Sequence, residues 1–291
     1  MIYRKFMPCM ALAEVISHFW YSKVELQGAI IQHHPTPLLQ GLAFNFTKAA
    51  EHHTYNDKVV TLDKQAYFFG QPVSPREITS HEKGIDIIGV SFRPLGIAKV
   101  TGVNMEHLAD QIIAAEDIWG RAVETLCDAM QSAGSLEGAI QVLQSFLLSR
   151  YECTRLHYRV DNVNSALSLI EQSNGMISIR DLQDQTNTSR KTLERAFLHY
   201  LGLKPKFYSQ IVRFNAAKAW IDRRVGQQNI SGFAYDTGYY DGSHFASEFK
   251  RFSGMAPKAY IQHLFSMDAA DVRVPAVLKE VVEQFSHVSS M

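Results

Sequence analysis

Residues 193–208 (LERAFLHYLGLKPKFY) and 245–260 (FASEFKRFSGMAPKAY) carry one pattern twice, 52 residues apart. Five of the sixteen positions are identical: Phe197/Phe249, Gly202/Gly254, Pro205/Pro257, Lys206/Lys258 and Tyr208/Tyr260. Leu193/Phe245, Tyr200/Phe252 and Leu203/Met255 match in kind. Upstream the displacement is 51, pairing Ile179/Ile230, Leu182/Phe233 and Asn187/Gly238, so one residue is inserted in the second copy. Gly, Pro and aromatic residues in step require the second half of the chain to fold as two like units.

Each unit reads mechanically. Two apolar residues three apart (Ile179 and Leu182; Ile230 and Phe233) predict a short helix that ends at a residue tolerant of positive φ, Asn187 or Gly238. A longer helix follows, with Leu193 and Phe197, or Phe245 and Phe249, at i and i+4 facing the core. It stops at Gly202 or Gly254, with Pro three residues on. Ser178 and Asp181 suit the start of the first helix, and Ser189 and Asp241 suit caps for the second helices. Helix, tight turn, helix is the arrangement whose second helix enters the major groove of DNA. A helical array used for protein contacts has the same period, so charge has to decide.

The chain has 29 Lys plus Arg and 29 Asp plus Glu, a balance that at first argues against a nucleic-acid partner. Residues 188–260 hold twelve basic and five acidic residues, a net of +7, which leaves −7 on the rest. The neutral total therefore conceals a basic segment beside an acidic remainder that repels DNA and orients binding.

At 291 residues, 46% hydrophobic and 20% charged, the chain suits two globular domains. The expected division is 1–157, 158–266 and a tail, 267–291, with a short helical pattern from Val274 to Phe285. Between Leu38 and Pro94 period two dominates, with Leu42, Phe44 and Phe46, then Val60 and Leu62, then Ile88, Val90 and Phe92. Breakers at 70–72 and 93–96 fit a sandwich or barrel of short strands. Leu126, Met130, Leu136, Ile140, Leu143 and Leu147 then fall at helical steps, broken near Gly134, and serve either internal packing or a dimer seam. The expected class is α+β: a β-rich barrel or sandwich with flanking helices, followed by two helix-turn-helix motifs joined by a long helix.

Other features exclude more than they assign. Cys9, Cys127 and Cys153 are odd in number and widely spaced, which suits a reducing compartment and a cytoplasmic protein. The first thirteen residues resemble a secretory signal, but Leu12, Val15, Ile16, Phe19 and Trp20 continue at helical spacing and predict an amphipathic helix of the domain instead. No run of 18 apolar residues occurs, so no membrane helix is expected. His33-His34 and His52-His53 are read as exposed pairs in polar loops, not as a metal site, and no cofactor is expected. Gly-x-Ser-x-Gly, His-Glu-x-x-His and P-loop patterns are absent, which speaks against an enzyme.

Residues 163–263 resemble the DNA-binding domain of AraC/XylS transcription regulators. The resemblance rests on the Gly-x-x-Pro-x-x-Tyr endings at Gly202 and Gly254, on Arg213 with Ala217, and on Gly238-Tyr239-x-Asp241-x-Ser243-x-Phe245-x-x-x-Phe249-Lys250. It implies a sequence-specific regulator, an activator working with RNA polymerase, whose two recognition helices enter successive major-groove segments on one face of double-stranded DNA. Two positions depart from the pattern: Gln183, where an alanine is common, implies looser packing of the first helix pair, and Ser247, where an arginine is common, implies weak base reading by the second motif. Phe92-Arg93-Pro94-x-Gly96, Leu108-Ala109-Asp110 and Glu116-Asp117-x-Trp119-Gly120 resemble the sensor domain of some of these regulators. That implies a small effector and a homodimer. An effector-independent architectural module, and a cupin-like enzyme fused to the DNA-binding domain, are the competing readings.

With positions 193 and 197 turned inward, Arg190, Lys191, Glu194 and Arg195 are the candidate base contacts of the first motif, and Ser243, His244 and Ser247 those of the second. Arg195 suits a guanine and Glu194 a cytosine amine, although Glu194 equally suits a surface pair with Arg190 or Arg195. Ser189, Lys206, Lys250, Arg251 and Lys258 are the candidate phosphate contacts. Phe44, Phe46, Tyr67, Phe69 and Phe92 either line an effector pocket or are plain core.

Overall fold

A computed structural model describes residues 2–25, 30–47, 51–80, 84–155, 161–223, 239 and 241–270. Ile230, Phe233, Ala234 and Gly238 of the second repeat, the expected boundary at 157 and the helical pattern from Val274 to Phe285 lie outside these residues.

The first half is built on two antiparallel sheets. One has the order β1 (Ile2–Phe6), β2 (Ile16–Val24), β9 (Ile85–Phe92), β4 (Gln40–Asn45), β7 (Ala66–Phe69), β10 (Ile112–Ala114). The other runs β3 (Ile30–His34), β8 (Arg76–Ser80), β5 (Glu51–Tyr55), β6 (Lys58–Leu62). Because side chains alternate across a strand, register assigns them to faces. Leu42 opposite Val90, and Phe44 opposite Ile88, join Phe68 and Phe92 on a face that packs against helices. Those helices are α1 (Gly96–Thr101), α2 (Ala115–Trp119), α3 (Ala122–Ser132) and α4 (Leu136–Arg155). Leu126, Met130, Ile140, Leu143 and Leu147 are buried there with Leu136 packed against them, so they form this domain's own core and not an exposed seam.

Two local expectations give way to sheet geometry. The spacing of Leu12, Val15, Ile16 and Phe19 is a 3-10 turn at Met10–Leu12 followed by strand, not a helix. Ile16 pairs with Phe92, His18 with Ser91 and Phe19 with Val90, so a bulge absorbs Ser17 and places Ile16 and Phe19 on one face, three residues apart. The histidine pairs sit on β3 and β5 rather than in loops, and the His53 ring, 3% exposed, lies 5.7 Å from Phe69 of the other sheet. The strands win at both places because their backbone groups are paired along whole neighbours.

The second half is helical: α5 (Asp161–Gln172), α6 (Ile179–Thr186), α7 (Arg190–Leu201), α8 (Pro205–Arg223), α9 (Gly242–Ser253) and α10 (Pro257–Ala270). Its core is aromatic, with Phe214 5.3 Å from Phe249 and 5.4 Å from Phe252, and Phe197 6.1 Å from Tyr208. The repeat runs further upstream than its motif endings. At the same displacement of 51, Val163, Ala166, Ile170 and Glu171 of α5 match Phe214, Ala217, Ile221 and Asp222 of α8, and the apolar pairs are buried in one cluster. Each unit thus begins with a scaffold helix, and the end of α8 belongs to the second unit.

The two halves touch along a continuous seam. Thr36 N donates to Phe252 O (2.7 Å), Asn215 Nδ2 to Thr36 O (3.2 Å) and His33 Nε2 to Ser253 O (2.8 Å). Leu38, Val73, Leu95 and Ala109 of the first half pack into the helical core.

Candidate DNA interface

The first motif is α6, a turn through Asn187–Ser189, and α7. Ser178 Oγ caps α6 by accepting from Asp181 N and donates to Asp181 Oδ2 at 2.7 Å, two contacts that fix the helix start. Asn187 adopts φ 48°, ψ 43°, the left-handed conformation its side-chain type tolerates. Leu193, Phe197 and Leu201 are buried, so the opposite face of α7 is turned to solvent. Lys191 and Arg195, one turn apart, are exposed on that face.

Arg190 is exposed as well, but its Nε lies 2.9 Å from Glu194 Oε1. The surface-pair reading of Glu194 is therefore the one realised in this structure, and such a pair contributes only about 0.3–0.5 kcal/mol. Ser189 Oγ accepts from Thr192 N at 3.2 Å and is 2.9 Å from Thr192 Oγ1, so its side chain is spent as a helix cap.

Two cations in the first turn of α7, with no acid there, oppose the helix dipole. Each such placement costs about 0.3–1 kcal/mol, and it also adds positive charge to a terminus whose free N–H groups already attract anions.

In the second motif Asp241 caps α9, its Oδ1 accepting from His244 N at 2.7 Å. Phe245, Glu248, Phe249 and Phe252 are buried, which leaves Ser243, His244, Ser247, Lys250 and Arg251 exposed. His244 is not free to swing: its ring packs 5.5 Å from Tyr239 and its Nε2 lies 4.0 Å from Glu248 Oε2. Arg251 lies over the Phe207 ring (4.8 Å) and the Phe252 ring (5.3 Å), which ties it to the joint between α8 and α9. Lys206 and Lys258 occupy equivalent first-turn positions of α8 and α10, and both are exposed.

Reading charges as a surface property missed the ion pairs that build the site. Arg213 donates to both Glu248 oxygens, and Lys218 Nζ lies 2.6 Å from Asp222. These pairs remove equal numbers of each sign, so they leave the net +7 of residues 188–260 unchanged. The usable signal was the repeat itself, since Asp222 is the mate of Glu171. Burial and the Glu248 carboxylate push the Tyr239 hydroxyl well up, and the guanidinium of Arg213 sits 4.9 Å from its ring.

The aromatic residues expected to form a pocket do not share one space. Phe44 and Phe92 belong to the helix-facing core, whereas Tyr67 and Phe69 pair with Ala43 and Gly41 and so occupy the opposite face of the sheet. Phe46 packs at the rim of that core, and Tyr67 Oη donates to Asp63. Alternation along β4 and β7 separates the five. No three His, Cys, Asp or Glu side chains among the described residues are placed to hold a metal ion, and no described helix is long and apolar enough to cross a membrane.

The helix-turn-helix domain family matches residues 182–263, and a domain of unknown function (DUF6597) matches residues 4–114. The transcriptional activator RhaS of Pectobacterium atrosepticum is 22% identical over 282 residues, 90% of this chain and 91% of that protein. RhaS of Pectobacterium carotovorum subsp. carotovorum matches to the same extent. Among solved structures, ToxT of Vibrio cholerae is 13% identical with a TM-score of 0.45, covering 84% of this chain and 96% of that one. The AraC-like transcriptional activator CuxR is 11% identical with a TM-score of 0.29, covering 75% and 94%. With a helix-turn-helix domain match over residues 182–263, the same motif pattern written twice in its sequence and a basic outer face on α7 and α9, the chain is a DNA-binding transcription regulator similar over most of its length to the activator RhaS.

Proposed function

We propose that the chain activates transcription by laying α7 and α9 into successive major-groove segments of one DNA face. The observation that carries this reading is the first turn of α7, where Arg190 and Lys191 stand against the helix dipole and no acidic residue occupies that turn. Lys191 and Arg195 then reach base edges, with Arg195 reading a guanine bidentately, while Arg190 alternates between Glu194 and a phosphate or base. Glu194 accepts from a cytosine amine once Arg190 leaves it. In the second motif Ser243, His244 and Ser247 face the groove with short side chains, so this motif reads less than the first. Lys206, Lys250 and Lys258 hold phosphates, Arg251 does so from its aromatic seat, and Ser189 contributes through its helix terminus. The first domain senses a small effector and pairs two copies, and the regulator works in the cytoplasm on RNA polymerase. It catalyses no reaction.

Arg195→Ala tests the assignment by comparing selected and random duplexes. The expected loss is about 1–3 kcal/mol on the selected site, with nonspecific affinity nearly unchanged. An equal loss on both duplexes moves Arg195 to the phosphate class.

A further inference from the structure

A cavity of about 30 Å³ opens at the seam between the two halves. His18, Gln40, Ser91 and Phe92 of the sheet line it from one side and Glu171 and Tyr208 of the helical half from the other, with Leu38, Leu39 and Pro94 as apolar wall. Gln40 is 2% and Ser91 3% exposed, and Gln40 Oε1 and Ser91 Oγ have no hydrogen-bond partner. Buried polar atoms left in this state cost free energy, and two that face one space mark it as built for something polar.

The repeat identifies the missing chemistry. In the second unit Asp222 receives the Tyr260 hydroxyl at 2.9 Å, and an ammonium group, Lys218 Nζ, lies 2.6 Å from the same carboxylate and 5.8 Å from the Tyr260 ring. The mates in the first unit are Glu171 and Tyr208, but Leu167 stands where the lysine would be. Glu171 therefore has no ammonium from its own helix. The charge of Arg93 acts on Glu171, yet its Nε is bound to Ala13 O, and burial still holds the Glu171 carboxyl above its ordinary range. Burial also keeps His18 neutral, with its pKa lowered to about 4. The lining contains acceptors, a carboxyl group and aromatic faces, and no Lys or Arg.

We propose that this cavity binds the head of a short primary alkylammonium, with Glu171, Gln40 and Ser91 as its acceptors and Leu38, Leu39 and Pro94 along its chain. The proposal gives the effector reading a place at the seam rather than among the sheet aromatics, and it rests on that reading. Occupancy is felt at the DNA interface, because Gln40 and Leu38 continue the segment whose Thr36 is bonded to Phe252 of α9 and to Asn215 of α8.

The test is calorimetry and thermal unfolding of the full chain with n-propylammonium, 1-propanol and propionate. The expected result is binding and a raised Tm with n-propylammonium alone, weakened about tenfold or more by Glu171→Gln and by Gln40→Leu, since a charge-assisted hydrogen bond is lost in the first and a free acceptor in the second. Near-UV circular dichroism establishes that both variants are folded. The site is overturned if n-propylammonium does not bind, if propionate binds as well, or if folded Glu171→Gln binds unchanged. Affinity for duplex DNA, measured on the same protein, reports the regulator assignment independently of the ligand.

Discussion

Arg213 Nη2 lies 3.0 Å from both carboxylate oxygens of Glu248, and Arg213 Nε lies 3.1 Å from Oε1. One residue is on the helix that joins the two motifs and the other on the inner face of the second reading helix, and their side chains are only 15% and 4% exposed. Gln210 Nε2 donates to the other Glu248 oxygen, and the Tyr239 ring lies 4.9 Å from the guanidinium. The second reading helix is thus fixed against the joining helix around a single carboxylate.

Removing one partner strands the other in a mostly buried place. Glu248→Ala is expected to destabilise the chain by about 3–5 kcal/mol, whereas Arg213→Met with Glu248→Leu recovers most of that loss because no uncompensated charge remains. Urea denaturation of the single and double variants checks this. A double variant no more stable than Glu248→Ala contradicts it.

Gly202 ends α7 at φ 72°, and a Cβ there would lie 2.3 Å from Met105 O and 2.5 Å from Ala109 Cβ. Gly134 has φ 70° and nothing within 4 Å of an added Cβ. Gly134→Ala therefore costs only the left-handed strain, about 1–2 kcal/mol, and Gly202→Ala costs clearly more. Gly202→Ala also loosens the contact between the halves, which faster amide exchange around residues 105–109 would register. Equal Tm losses in the two variants would sink the argument.

Acid destabilises the fold through His18, which is 1% exposed and has its pKa lowered to about 4 by burial, with Lys5 adding to the shift. The unfolded chain binds a proton on this residue that the folded chain refuses, so its contribution is complete above about pH 6.5 and is lost as pH falls toward about 4. The loss amounts to about 3 kcal/mol. His34, also lowered to about 4, adds a slope of the same sign. His18→Gln is expected to flatten the fall of stability between those pH values without abolishing it, measured by denaturation at each pH. An unchanged slope would assign the acid lability elsewhere.

The helical half was legible in the sequence because its turns need special residues: Asn187 and Gly202 in left-handed conformations, Ser189 and Asp241 at caps. The burial of Leu193, Phe197, Phe245 and Phe249 was legible for the same reason, since i, i+4 spacing admits one inward face. The segment from Leu12 to Phe19 was not, because a bulge at Ser17 gives a strand the spacing of a helix. Nor were the partners of the charged residues. Glu248 and Asp222 lie 35 and 4 residues from the cations they bind, and only the extended repeat hints at the second. The seam between the halves depends on single backbone groups, such as Thr36 N and O, that carry no mark in a sequence.

The most direct test is selection of bound sites from a random duplex pool with the full chain, followed by footprinting on the enriched sequence. Two major-groove segments protected on one face, about 10–10.5 base pairs apart, are predicted, with affinity falling steeply as salt rises. A single protected segment, or no enrichment over random duplex, would contradict the reading of α7 and α9 as paired recognition helices.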